Sequence, residues 1–230
     1  MKKNLLLSFL TLLSVNVFAQ LDSLKLVSAK EHAAPKKWYD NFSIRGYSQV
    51  RYNRLLETNE NLGCEQCDRS WGKNGGFFIR RMRVIIYGQI NKNVYFYVQP
   101  DFASSPSSDR LHFGQLRDAY FDIGLDKENE FRVRIGQSKV PYGFENMQSS
   151  QNRIPLDRND ALNSAVSNER DLGVFFYWAP KNKRKLFSEL VSDGLKGSGD
   201  YGIFAFGVFN GQTANNPELN NKPHVVSRFT

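Results

Sequence analysis

Residues 42–53 read FSIRGYSQVRYN, and this stretch decides the fold. Phe42, Ile44, Gly46, Ser48, Val50 and Tyr52 are apolar or small. Ser43, Arg45, Tyr47, Gln49, Arg51 and Asn53 are polar, and two of them are arginines. Successive side chains of a strand point to opposite faces. The stretch therefore predicts a strand with one apolar face and one charged face.

The same alternation recurs outward along the chain. A second strand is predicted from Phe77 to Ile90, with Met82, Val84, Ile86, Gly88 and Ile90 opposite Arg81, Arg83, Tyr87 and Gln89. A third places Val94, Phe96, Val98 and Phe102 opposite Tyr95, Tyr97, Gln99 and Asp101. A fourth, from Leu116 to Gly124, places Asp118, Tyr120 and Asp122 opposite Ala119, Phe121 and Ile123. A fifth, from Phe131 to about Val140, sets Arg132 and Arg134 against Phe131, Val133 and Ile135. A sixth runs from Asp171 to Trp178. A seventh runs from Tyr201 to Phe209 and is aromatic on both faces, and an eighth begins near His224. Helical spacing shows only weakly, around Lys185 to Val191. The stretches between are rich in Gly, Asn, Ser, Asp and Pro, as in an all-β protein.

The N-terminus sets the compartment. Lys2 and Lys3 precede a mostly apolar run from Leu5 to Val15, and Val17-Phe18-Ala19 ends on a small residue. This is the three-part pattern of a signal peptide over residues 1–19. Residues 20–40 read as a polar leader, and residues 41–230 as one β-domain. Beyond Ala19 no apolar run approaches the ~20 residues of a spanning helix, and mean hydropathy is −0.50. Membrane residence would then require a β-barrel, which keeps its polar half inside and satisfies its backbone between strands.

Loop lengths point the same way. The successive gaps are roughly 23, two, a dozen, six and thirty residues, so long and short connections alternate as in outer-membrane barrels. The gap from Ala179 to Asp200 breaks this rhythm. Trp38, Tyr39, Tyr52, Phe77, Phe78 and Trp178 fall near strand ends, where interfacial girdles form. Two side chains fit poorly. Arg80 falls on the apolar face, so it is expected at the loop end, where a lipid-facing Arg costs ~0–1 rather than ~2–4 kcal/mol. Lys139 also falls on the apolar side; a bulge or a position above the membrane would resolve it.

The net charge is +8, of which Lys2 and Lys3 supply 2, leaving +6 beyond Ala19. An exported basic protein suits anionic solutes or surfaces. No nucleic-acid-reading motif is present. Cys64 and Cys67 fit a local disulfide or two loop thiols, since a zinc site would need about two more ligands. No hydrolase elbow, metalloprotease helix or phosphate-binding glycine loop is found, so neither enzyme activity nor a cofactor is expected. The candidate solute contacts are Arg45, Arg51, Arg81, Arg83, Arg132 and Arg134 on the polar face, with Arg153, Arg158 and Arg170 from the long 143–170 segment. A guanidinium donates two parallel hydrogen bonds to an oxyanion and keeps its charge. Against them stand Asp101, Asp118 and Asp122 on the same face, and Glu145, Asp157, Asp160 and Glu169 in the segment.

The chain resembles the phosphate-selective porin O and P family of Gram-negative outer membranes. The likeness rests on Phe78-Ile79-Arg80-Arg81-Met82-Arg83, Gln99-Pro100-Asp101-Phe102 and Leu116-Arg117-Asp118-Ala119-Tyr120. It continues through residues 136–143 (GQSKVPYG), Arg170-Asp171-Leu172-Gly173 and Phe209-Asn210-Gly211. The resemblance implies a sixteen-stranded antiparallel barrel, usually a homotrimer in outer-membrane lipid, passing small anions such as phosphate or polyphosphate. It implies that these eight strands are the N-terminal part, about half the barrel. It also implies that the 143–170 segment can fold into the pore.

Two other readings fit parts of the pattern: a soluble exported β-sandwich binding module, and a complete eight-stranded barrel with a filled interior. The exported protein should begin at Gln20 on N-terminal sequencing and partition with detergent-extracted outer membrane. Recovery in the soluble periplasmic fraction would remove the barrel reading.

Overall fold

The computed structural model describes residues 37–53, 76–103, 112–153, 155, 157–159, 161, 169–195 and 199–230. The signal region, most of the leader and the Cys64–Cys67 pair lie outside these. After a short 3-10 turn at Trp38–Asn41, the chain forms eight strands. They are β1 (Phe42–Asn53), β2 (Gly76–Gln89), β3 (Val94–Asp101) and β4 (Gln115–Gly124), then β5 (Phe131–Lys139), β6 (Arg170–Trp178), β7 (Phe204–Phe209) and β8 (His224–Phe229). Each pairs antiparallel with the next, in chain order, in one sheet. The all-β expectation holds. Among the described residues β1 pairs only with β2 and β8 only with β7, so the sheet is open.

The two faces sort by side-chain chemistry. Ile44, Val50, Met82, Ile86, Phe121, Ile135, Val174 and Phe206 are exposed on one face. Arg51, Arg83, Asp101, Asp122, Arg132 and Arg134 are buried on the other, within a space the sheet and its loops enclose. A polar core beneath an apolar exterior inverts the usual order of a water-soluble protein. Aromatic rings cluster at both strand ends: Tyr52 with Phe77 at one (centroids 4.8 Å apart), Trp38 with Phe42 and Phe131 with Trp178 at the other (5.5 and 6.4 Å). Phe78 departs from the girdle expectation, because it points inward and is buried.

Two register shifts correct the simple alternation. Gln49 pairs with Arg81 and Val50 with Ile79, so Arg80 is an extra residue in β2. A bulge of this kind leaves two neighbours facing the same way. Arg80 therefore turns inward beside Arg81 and does not sit on the apolar face at the loop end. The same device recurs where Gln99 pairs with Asp118 and Pro100 with Leu116, which makes Arg117 the extra residue in β4. Proline cannot donate to the ladder, so a bulge there fits its chemistry.

β7 resolves the strand that was aromatic on both sides. Ala205 is buried against Phe175, Tyr177 and Val140, while Phe206 and Val208 are exposed. β7 starts at Phe204 rather than Tyr201. Gly202 turns the chain at φ +73°, and a Cβ there would lie 2.7 Å from the Phe204 carbonyl oxygen.

Two helices occupy connections. The single turn α1 (Phe144–Met147) lies in the long β5–β6 connection. The helix α2 (Lys181–Ser192) fills the unexpectedly long β6–β7 gap. Leu186, Phe187, Leu190 and Val191 give it an apolar stripe, weaker in the sequence than the helix is long. Pro180 precedes its first turn and Gly194, at φ +73°, ends it.

Gly136 is a tight point of the sheet with a backbone conformation that favours glycine. It has φ +128°, and a Cβ there would lie 2.2 Å from the Ala119 carbonyl oxygen. Gly136→Ala should cost at least ~1–3 kcal/mol for the backbone conformation alone. The expected result is a lower urea midpoint of the folded protein in detergent; an unchanged midpoint would refute the strain assigned to this position.

Candidate functional site

The inner face holds a polar cavity of about 680 Å³. Strands supply Arg45, Arg83, Tyr97, Tyr120 and Arg134; α2 supplies Phe187 and Val191, and the β5–β6 connection supplies residues 147 and 149–152. Segments from opposite ends of the sheet thus border one space. α2 is tied to the wall by Arg184, whose Nε donates to Asp200 at 2.8 Å and whose Nη1 donates to the carbonyl oxygens of Glu128 and Asn129. Asp200 also accepts from Arg132 at 2.7 Å, so one carboxylate links helix and wall.

Mid-wall charges occur as opposed pairs. Arg83 Nε lies 2.7 Å from Asp101, and Arg134 grips Asp122 with two hydrogen bonds of 2.6 and 2.7 Å. Such bidentate bonds fix both partners in orientation. Arg134 also lies over the rings of Tyr120 (3.8 Å), Tyr177 (5.1 Å) and Tyr201 (5.3 Å). The planar guanidinium suits such stacking. Tyr97 stacks on Tyr120 at 5.2 Å, extending the line of rings toward Tyr87.

The loop end of the wall is arranged differently. There, two carboxylates of the β5–β6 connection each draw three arginines together. Asp157 lies 2.7 Å from Arg51, 2.8 Å from Arg80 and 2.9 Å from Arg81. Glu169 lies 2.7 Å from Arg153, 2.9 Å from Arg158 and 2.7 Å from Arg170. Arg170 also reaches Asp118 at 3.0 Å. Lys139 and Arg170 are cross-strand partners closing the β5–β6 ladder, and both line the cavity. The Lys139 ammonium donates to the carbonyl oxygens of Met147 and Gln148, which pins α1 inside. Its misplacement on the apolar side is thus resolved at the strand end, where the pleat no longer holds it outward. Ser150 adds a further tie, accepting from Arg83 at 2.7 Å.

The candidate arginines therefore fall into groups. Arg51 and Arg81 meet at Asp157; Arg153, Arg158 and Arg170 meet at Glu169; Arg83 and Arg134 hold separate wall carboxylates, and Arg132 holds Asp200 of the β6–β7 connection. Arg45 joins none of these groups. It is exposed, with its guanidinium 5.4 Å from the Tyr87 ring. Sequence alternation missed Arg80 and Arg117 because each is the extra residue of a bulge. The signals were present: arginines at 80, 81 and 83 cannot share one face of a regular strand, and Pro100 interrupts a ladder.

A sheet with an apolar outside, aromatic rims and a charged inside is the wall of a membrane-spanning β-channel. The family model for phosphate-selective porin O and P matches residues 62–226, and the chain belongs to that family. Its members are porins, channels of the Gram-negative outer membrane rather than enzymes. No curated protein and no solved structure matches the chain.

Burial would raise the Glu169 carboxyl, but Arg170, Arg153 and Arg158 outweigh it and hold its pKa well below the usual carboxylate range. A lowered carboxylate pKa stabilises the fold at pH above its unfolded value of ~4.3, and that contribution disappears as pH falls through the lower folded value. The loop clamp should therefore survive to about pH 4 and weaken below it. Glu169→Gln should flatten the acid-side fall of Tm, while costing ~3–5 kcal/mol at neutral pH by stranding buried guanidinium groups. An acid limb identical to that of the unaltered protein would refute the clamp.

Proposed function

We propose that this chain forms part of an outer-membrane porin that passes small anionic solutes, phosphate or polyphosphate among them, through an arginine-lined channel. The observation that carries this is the gathering of guanidinium groups at the loop end of the inner face. Among the described residues three guanidinium groups meet one carboxylate at Asp157, and three meet Glu169 with Asp118 as a second acid. A water-filled channel lined with guanidinium groups raises the local concentration of anions. The mid-wall pairs are balanced and add orientation more than net field.

The open edges support the larger assembly. Lipid does not tolerate unpaired backbone groups, so β1 and β8 need neighbours within the membrane. A sixteen-stranded, trimeric porin would supply them, with residues 20–40 as a periplasmic leader. The β5–β6 connection already lies against the inner wall, consistent with a constriction of the pore.

Reversal potentials in a planar bilayer test the reading. The reconstituted protein should prefer anions. Arg132→Gln with Arg134→Gln should shift selectivity toward cations several-fold, because two positive charges leave the inner face and Asp122 loses the guanidinium that grips it. Cation preference in the unaltered protein would overturn the proposal; no shift in the double variant would remove this pair from the selectivity mechanism.

A further inference from the structure

The β6–β7 connection lies at the end of the sheet that also carries the β2–β3 and β4–β5 turns, because successive strands alternate in direction. Those two turns are short, whereas this connection folds the 12-residue helix α2. The helix sits beside the cavity without being packed into a core. None of its residues is buried; Arg184, Phe187 and Leu190 are half-buried, and Leu186 and Val191 are exposed. Phe187 and Val191 stand one turn apart on one side of the helix, and both line the cavity. The space they border is otherwise walled by such side chains as Arg45, Tyr97, Asp122 and Arg134. An apolar helix face there narrows a wet passage with groups that offer an ion no hydrogen bond. Hydrophobic constrictions of this kind gate by excluding water.

The fastening of α2 is confined to its first turn. The Lys181 amide donates to the Glu130 carboxylate at 2.7 Å, next to the Ala179 amide, which donates to the Glu130 carbonyl oxygen. The Lys181–Glu128 ion pair is solvent-exposed and adds little. The main clasp is Arg184. Its Nε donates to one oxygen of Asp200 at 2.8 Å, while the other oxygen accepts from Arg132 of the wall at 2.7 Å. Its Nη1 reaches the carbonyl oxygens of Glu128 and Asn129. Arg132 is 7% exposed and Arg184 28%, so the wall half of the clasp is sealed and the helix half meets solvent. Beyond Arg184, among the described residues, Lys185–Leu195 make only internal ties, such as Lys185 with Glu189 and Ser192 with the Glu189 carbonyl oxygen. The part of the helix that carries Phe187 and Val191 is therefore held only through Arg184.

We propose that α2 is a gate at this end of the channel, held against the cavity by the Arg184–Asp200–Arg132 clasp and opened when Arg184 lets go. This rests on the porin reading and adds to it a moving part and its fastening. Because α2 has its own internal ties and no buried residue, it swings as a unit without exposing a core. The strength of one solvent-reached clasp then sets the fraction of time the passage is wide.

Hydrogen exchange of the full chain folded in detergent micelles tests the movement. The α2 amides should exchange as a group and faster than those of β5 and β6. Arg184→Gln should speed α2 exchange about tenfold, the worth of one charge-assisted contact, and leave β5 and β6 unchanged. In planar bilayers the unaltered protein should step between two conductance levels. Arg184→Gln should raise the time spent in the larger level by a similar factor, and Phe187→Ser should raise the smaller level itself. Unchanged α2 exchange in Arg184→Gln, acceleration that spreads into β5 and β6, or faster α2 exchange with unaltered channel currents would each overturn the gate. Any of these alongside anion-preferring currents would remove the gate and leave the porin reading intact; no channel current from the unaltered protein would remove both.

Discussion

A strand has two faces, and in a membrane wall one of them meets lipid. An arginine there costs ~2–4 kcal/mol at mid-membrane. Every charged side chain in β1–β6 is therefore placed under one demand, to reach the inner face. Period-two alternation satisfies it for Arg51, Arg83, Asp101, Asp122, Arg132 and Arg134 without further help. Where two charged neighbours stand side by side, alternation must send one of them outward. The bulges at Arg80 and Arg117 remove that conflict by adding one residue to the strand. Each leaves consecutive charged side chains, Arg80 with Arg81 and Arg117 with Asp118, on the inner side.

Gathering charge inside creates a second problem, since buried ions need partners. The structure answers it at two levels. Partners within the wall neutralise single arginines, as Asp101 does for Arg83 and Asp122 for Arg134. Partners from connections neutralise clusters, as Asp157, Glu169 and Asp200 do. The second level has structural consequences beyond charge. Glu169 and Lys139 hold the β5–β6 connection against the wall, and Asp200 with Arg184 holds α2 at the opposite end. The dimensions of the cavity thus follow from electrostatic pairing as much as from packing. An apolar contribution comes from the patch where Phe175, Tyr177 and Ala205 meet under Val140.

The aromatic residues divide along the same line. Rings at strand ends stay exposed, as Trp38, Tyr52 and Phe77 do. Rings on the inner face serve as stacking partners for guanidinium groups, most closely Tyr120 under Arg134. Phe78 shows that closeness to a strand end does not settle the side. It precedes the bulge by two positions and so shares the inner face with Arg80, while Phe77 and Ile79 face outward.

Much of the architecture was legible locally. Alternation placed all eight strands, most of them within a residue or two of their ends, because strand periodicity and turn residues act over only a few positions. It also assigned the faces of Arg51, Arg83, Arg132 and Arg134. What remained hidden depends on partners far along the chain. A bulge is defined by the register of two strands, so Arg80 and Arg117 could not be turned inward from their own neighbours. The clamp at Asp157 joins residues more than a hundred positions apart in one case, Arg51 and Asp157. The helix α2 is held at Arg184 by Asp200 and by the 128–129 turn, and its own sequence signals it only weakly. Sequence by itself determined an all-β wall with one charged face, since side-chain alternation is a property of the strand. Tertiary structure alone decided which charges meet, because a salt bridge requires two distant segments to arrive within about 3 Å of each other.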